Sequence, residues 1–208
     1  MTPDQAQALL NEAQATLETG DAPRALALFQ AVMAEDGADP HQQADAECGV
    51  GEIAFLARRF SEAAERFHRA AHLDPGNSAW LHYRLGEARM RSGEWPQAVS
   101  AFREALEGFP EEERHARAEI LGRLGRARVL LGERAGEADI GKAIDLDPLH
   151  APLHADLGDC LLGRKAWAAA AESYARAVEL EPDNLDYAAA RARALAIAEK
   201  LAKGSPGA

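Results

Sequence analysis

The chain is punctuated by proline at a regular interval, and that beat limits its possible folds more than any other feature. Asp39-Pro40, Asp74-Pro75, Phe109-Pro110, Asp147-Pro148 and Glu181-Pro182 are spaced by 35, 35, 38 and 34 residues. Proline disfavours helical geometry in the residue before it, so each pair is expected to close a helical stretch. Two further markers keep the same step. A small residue followed four positions later by a large one precedes every proline: Ala25/Phe29, Ala63/Phe67, Ala98/Phe102, Gly136/Ile140 and Ala170/Tyr174. An apolar–glycine pair recurs at Val50-Gly51, Leu85-Gly86, Leu124-Gly125 and Leu157-Gly158. Three markers on one period near 34 residues identify an internal repeat.

Each period divides into two helical patterns around a short break. The breaks are Thr19-Gly20-Asp21, Arg58-Arg59, Ser92-Gly93-Glu94, Leu131-Gly132-Glu133 and Gly163-Arg164-Lys165. Pro23, Ser61 and Pro96 then open the second helix, where proline loses nothing and serine can cap. Five helix-turn-helix units result, followed by an alanine-rich helix over about 185–203 and a frayed tail at 204–208. Composition agrees. There are 47 alanines in the 208 residues, so alanine makes up about half of the 47% hydrophobic letters, and aromatics are only 6%. Small side chains let helix axes approach closely, whereas a β-sandwich or barrel needs β-branched and aromatic residues.

The register Val50-Gly51…Ala63…Phe67…Ala70…Pro75, repeated at Leu85-Gly86…Pro110 and Leu157-Gly158…Pro182, resembles the tetratricopeptide repeat (TPR) pattern. The resemblance covers nearly the whole chain. It implies an all-α, right-handed α-solenoid of five TPR helix-turn-helix units plus a C-terminal capping helix, forming one superhelical domain over 1–203. The units are about 6–39, 44–77, 79–112, 118–150 and 151–184. The fourth departs from the pattern, with Gly136 and Ile140 in the alanine and aromatic slots. Glu12 and Arg191 put charge where internal units are apolar, as suits units at the two ends of a stack. Each mid-helix glycine costs about 1 kcal/mol relative to alanine. Such a glycine implies a close crossing, with Ala63, Ala98 and Ala170 as the facing small residues. Glu111–Arg117 exceeds the period by about five residues and is expected to lengthen the following helix by more than a turn, as a solvated extension or a partner-specific ridge.

Several function classes are disfavoured. A net charge of -11 repels phosphate backbones and anionic membrane surfaces, so neither nucleic acid nor a membrane is expected as partner. Two cysteines 112 residues apart suit a reducing compartment. Met1-Thr-Pro-Asp-Gln lacks the basic and apolar parts of a signal peptide, and no stretch is long and apolar enough to span a membrane, so a cytoplasmic location is expected. Gly136–Ala143 nearly spells a phosphate loop, but it lacks the magnesium-binding hydroxyl and carries Glu137 and Asp139. His68/His72 and His150/His154 are i,i+4 pairs without a third ligand, so no metal, cofactor or catalytic residue is assigned. A metal-dependent enzyme using these pairs is the least favoured alternative.

The resemblance also implies where a partner would sit. Positions 2, 5, 9, 12 and 13 of each first helix face the concave groove in this family. Carried over, they nominate Cys48, Glu52 and Phe55 in the second unit, with Asp45 and Leu56 beside them. They nominate Trp80, Tyr83, Glu87, Met90 and Arg91 in the third unit, Arg126 in the fourth and Asp159 in the fifth. The third unit stands out, because aromatic and methionine side chains anchor peptides and helices. Cys48 falls where its thiol would be accessible, and Cys160 at a packing position. The carboxylate-clamping lysines and asparagines of some family members are missing, and the chain has only four lysines. The leading expectation is a non-enzymatic scaffold or adaptor binding a neutral or basic peptide or helix of a protein partner, not an acidic C-terminal tail. Self-assembly into a homo-oligomer, through the last helix or an exposed end, is the alternative.

Overall fold

Helix starts follow the local chemistry of the chain. In the computed structural model, which describes residues 2–34 and 37–204, the Thr2 side chain accepts from the Gln5 amide while the Gln5 side chain accepts from the Thr2 amide. Pro3 follows at the first helical position of α1 (Pro3–Glu18). Asp39, Gln42 and Pro40 repeat this capping box at α3 (Pro40–Leu56). The other helices are α2 (Ala22–Met33), α4 (Phe60–Leu73), α5 (Ser78–Ser92), α6 (Trp95–Gly108), α7 (Arg114–Leu130), α8 (Ala135–Leu146), α9 (Ala151–Gly163), α10 (Trp167–Leu180) and α11 (Leu185–Gly204). A 3-10 turn covers Pro75–Asn77, and the described residues contain no strand. Five helix pairs and a last helix therefore form where the repeat register places them. Residues 205–208 of the expected tail lie outside the described residues.

The five turns inside the pairs share one device. Each holds one residue in the left-handed region: Gly20 (φ 87°), Arg58 (60°), Gly93 (81°), Gly132 (77°) and Lys165 (60°). Glycine does this without strain, so units two and five bear a cost there that the others avoid. Ser61, expected to cap, instead lies inside the first turn of α4, and Arg59 precedes that helix with no side-chain cap.

The residues fall into two compact units, Met1–Phe109 and Pro110–Ala208, and the boundary coincides with the extra residues after Pro110. Glu111–Glu113 form a turn ahead of α7 and do not lengthen it. α7 does begin four residues before position 118, but α3 begins equally far before position 44 without any insertion.

Within the first unit each helix packs on its chain neighbours, and the first helices α1 and α3 also touch. The second unit repeats this, with α7 on α9 and α11 closing on α10. The glycines show how the pairs fit. A Cβ on Gly51 would lie 2.9 Å from the Phe67 ring, one on Gly86 2.6 Å from Phe102, and one on Gly158 2.8 Å from Tyr174. The expected partner at each crossing was the alanine, but the structure puts the large residue four positions later against the glycine. In the degenerate fourth unit Ile140 fills less space, and a Cβ on Gly125 would lie 2.6 Å from the Gly136 carbonyl oxygen. Glu12 of α1 is exposed and paired to Arg24 at 2.6 Å, and Arg191 of α11 is exposed.

Candidate functional site

Four nominated residues of the first compact unit, Glu52, Phe55, Trp80 and Glu87, gather around one that the repeat register did not nominate. Trp80, Arg84 and Glu87 fall at i, i+4 and i+7 of α5, and Glu52 and Phe55 at i and i+3 of α3, so each set shares a helix face. Arg84 joins the two faces. Its Nε donates to Glu52 Oε1 at 2.7 Å and its Nη2 to Glu52 Oε2 at 2.5 Å, a bidentate pair. Its Nη1 donates to Glu87 Oε2 at 2.5 Å. The guanidinium carbon lies 4.6 Å from the Phe55 ring centroid, 5.4 Å from Phe67 and 6.0 Å from Trp80. Burial works against the charge of Arg84, but the hydrogen bonds and charge of Glu52, followed by those of Glu87, outweigh it and raise its pKa.

The aromatic members take different roles. Trp80 is 53% exposed, whereas Tyr83 is only 5% exposed. The groove assignment of Tyr83 is therefore corrected. Its ring lies beneath Trp80 at 5.2 Å between centroids and reaches Phe102 at 6.1 Å, as a large ring does when it finds a packed neighbour. Phe55 is half-buried, edge-on to Phe60 at 5.3 Å. The neighbouring Leu56 is exposed to 69%. Met90 is half-buried and Arg91 exposed further along α5.

Cys48 is also corrected. It packs against two core clusters, and its thiol is pushed up to about 12, first by burial and then by the charges of Glu52 and Asp45. It is not a reactive surface thiol. Cys160 is buried, as its packing position implies.

In the second compact unit, Pro110–Ala208, the nominated residues are tied to partners of their own. Arg126 donates to Asp156 at 2.7 Å, and burial, opposed by Arg126 and Arg123, raises the Asp156 pKa. Asp159 accepts from the Tyr174 hydroxyl at 2.5 Å, so the only tyrosine in an aromatic slot is held by a residue of the preceding helix. Gly122 of α7 is buried where Leu153 closes over it.

The remaining motifs resolve into packing. Gly136–Ala143 lies inside α8 and offers no phosphate loop. His68 and His72 are exposed, while His82 approaches Glu104 at 3.2 Å, with burial lowering its pKa. His150 stacks edge-on to His115, and His154 bonds the Pro148 carbonyl at 3.0 Å. Among the described residues no three His, Cys, Asp or Glu side chains converge as metal ligands. No described helix is long and apolar enough to cross a membrane.

Family models described as tetratricopeptide repeat match residues 54–120 and 134–184. The chain belongs to the tetratricopeptide repeat family. Solved TPR structures share its fold. MamA from Desulfovibrio magneticus RS-1 is 22% identical, with 88% of this chain and 99% of that one covered at a TM-score of 0.73. A thermophilic TPR protein from Thermus thermophilus, TTC0263, is 23% identical, covering 91% and 98% at 0.66. YrrB, described as a TPR protein with an unusual peptide-binding site, is 20% identical, covering 88% and 90% at 0.70. At these identities the likeness establishes the all-α TPR solenoid fold and nothing finer. As a TPR protein, the chain has the build of a protein–protein interaction scaffold.

Proposed function

We propose that this TPR protein is a non-enzymatic adaptor, and that the α3–α5 face of its first unit docks a peptide or helix of a protein partner. The observation that carries this is Trp80. It is a large ring more than half exposed, on a surface whose other rings and charges already hold one another. Covering such a ring releases apolar area from water, and rings of this kind dominate the energetics of docking surfaces. A protein with a similar fold, YrrB, is described as having a peptide-binding site, which supports the class of ligand. With a net charge of -11, the protein suits a neutral or basic partner in the cytoplasm better than a nucleic acid or an anionic membrane. Selection of short random peptides displayed on phage, panned on the whole chain, tests the proposal. Peptides enriched by the natural chain should be lost on Trp80→Ala. Retention of the same peptides would place docking elsewhere.

One observation favours a second reading, homo-oligomerisation. Leu195, Ile197 and Leu201 of α11 are exposed. That helix carries Arg191, Arg193, Lys200 and Lys203 against Asp186 and Glu199, or +4 - 2 = +2, so the rest of the chain is -11 - 2 = -13. A second copy thus offers the complementary charge. Light scattering showing a monomer at every concentration would remove this reading.

A further inference from the structure

Arg84 stands at the centre of the proposed docking surface, bound by two carboxylates. Each of its three guanidinium nitrogens donates to a carboxylate, two to Glu52 and one to Glu87. The side chains of Arg84, Glu52 and Glu87 are only 13%, 29% and 19% exposed, so the cluster is shielded from water.

Resting on the docking reading above, we propose that Arg84 is the positioning residue of this surface and that its two carboxylates set the selectivity. The bound segment is uncharged at this point and enters through an apolar side chain laid on Trp80. An incoming carboxylate meets Glu52 and Glu87 and a guanidinium whose three nitrogens already donate to them. An incoming ammonium must compete with a planar cation whose fork matches Glu52 and whose face lies on Phe55, a fit that a point charge does not reproduce. An apolar side chain displaces neither and covers the exposed part of Trp80. The arrangement also fixes the ring. Trp80 is held between Tyr83 beneath it and the Arg84 guanidinium beside it, so little rotamer freedom remains to be lost on binding.

The peptide selection on the whole chain tests this with three further variants. The natural chain should enrich peptides with an aromatic or aliphatic anchor and no excess of charge. A synthetic peptide of that sequence should change its Kd less than about threefold between about 50 and 500 mM salt. Glu52→Gln with Glu87→Gln leaves the stacked guanidinium uncompensated. That chain should enrich Asp- or Glu-bearing peptides, and should bind a Glu-substituted version of the synthetic peptide at least about tenfold more tightly than the natural chain does. Glu87→Gln alone keeps the bidentate pair and should move the selection part of the way. Arg84→Lys retains the charge without the fork and should weaken the neutral peptide about tenfold at unchanged far-UV circular dichroism. Selection of charged peptides by the natural chain, or an unchanged selection by the double glutamine variant, would overturn the selectivity. Full affinity in Arg84→Lys would overturn the positioning role. If Trp80→Ala loses no peptides, or the natural chain enriches none, the docking reading itself falls, and this proposal with it.

Discussion

Replacing Gly86 by alanine isolates the packing on which the repeat depends. A Cβ there would stand 2.6 Å from Phe102 Cε1, 2.7 Å from Cδ1 and 2.9 Å from Cζ. Contact between such carbons is comfortable at about 3.5–4.0 Å, so the ring must retreat by close to 1 Å. It has little room, being fully buried, with the Tyr83 ring 6.1 Å away. Overpacking of this kind costs about 1–3 kcal/mol. Alanine also returns about 1 kcal/mol of helix propensity, so the net loss is about 0–2 kcal/mol.

Gly141 supplies the control. It too lies inside a helix, α8, but nothing stands within 4 Å of a Cβ built on it. Gly141→Ala should therefore stabilise by about 1 kcal/mol. Since the propensity gain is common to both, the gap between the variants is the clash itself, about 1–3 kcal/mol. Urea unfolding followed by tryptophan emission measures it. Trp80 and Trp95 report on the first unit and Trp167 on the second. The midpoints should move in opposite directions or by clearly different amounts at constant m-value. Among the three apolar–glycine crossings that meet a ring, the order of cost should be Gly86, then Gly158, then Gly51, following the three nearest distances at each. Phe102→Leu should relieve Gly86→Ala, giving a coupling of about 0.5–3 kcal/mol in a double-mutant cycle. If Gly86→Ala stabilises as much as Gly141→Ala, the crossing is not tight and the reasoning fails.

Two other outcomes follow from the titrating groups. His41 Nδ1 lies 2.6 Å from Asp74 Oδ2; the hydrogen bond to Asp74, with the charge of Asp45, raises the His41 pKa, and the same bond, with that of Asn77, lowers the pKa of Asp74. Stability from the raised histidine is complete below its ordinary value and fades as pH climbs through the folded one. That from the depressed aspartate is complete above its ordinary value and fades as pH drops through the folded one. The clip is thus strongest between about pH 4 and 6.5, and Asp74→Asn should move the His41 titration to lower pH by NMR, an unchanged midpoint counting against the bond. The Cys48 thiol, held up at about 12, and the buried Cys160 should both resist iodoacetamide near pH 8 in the folded chain and react on unfolding; rapid native labelling of Cys48, read by peptide mass, would contradict its burial.

The elements were legible because their signals are local. Proline, the left-handed turn residue and the apolar period each act over one or two helical turns, so a single unit read correctly is repeated five times. The last helix, read as about 185–203, spans Leu185–Gly204. Even the turns without glycine, at Arg58 and Lys165, were marked by their basic residues between two apolar periods. What lay beyond reach was set by side-chain size across a gap. The register places alanine opposite glycine, yet Phe67, Phe102 and Tyr174 reach into the space first. Position 5 of each first helix is expected in the groove, yet Cys48 packs into the core and the Tyr83 phenol turns in to meet Phe102.

Arg84 marks the deeper limit. Its own repeat position carries no functional label, and its i,i+3 partner Glu87 alone would read as an ordinary helix-surface pair. The missing signal was present one period back. Glu52 precedes Arg84 by 32 residues, close to one repeat, and the stacking of first helices brings those two positions together. The same step links His41 to Asp74 and Arg126 to Asp156, at 33 and 30 residues. In a repeat chain, charges of opposite sign about one period apart are therefore contact candidates, and they should be paired before any acidic residue is counted as free to attract a partner. On that rule Glu52 and Glu87 are the counter-charge of a stacked arginine, and the docking proposed for this surface rests on Trp80.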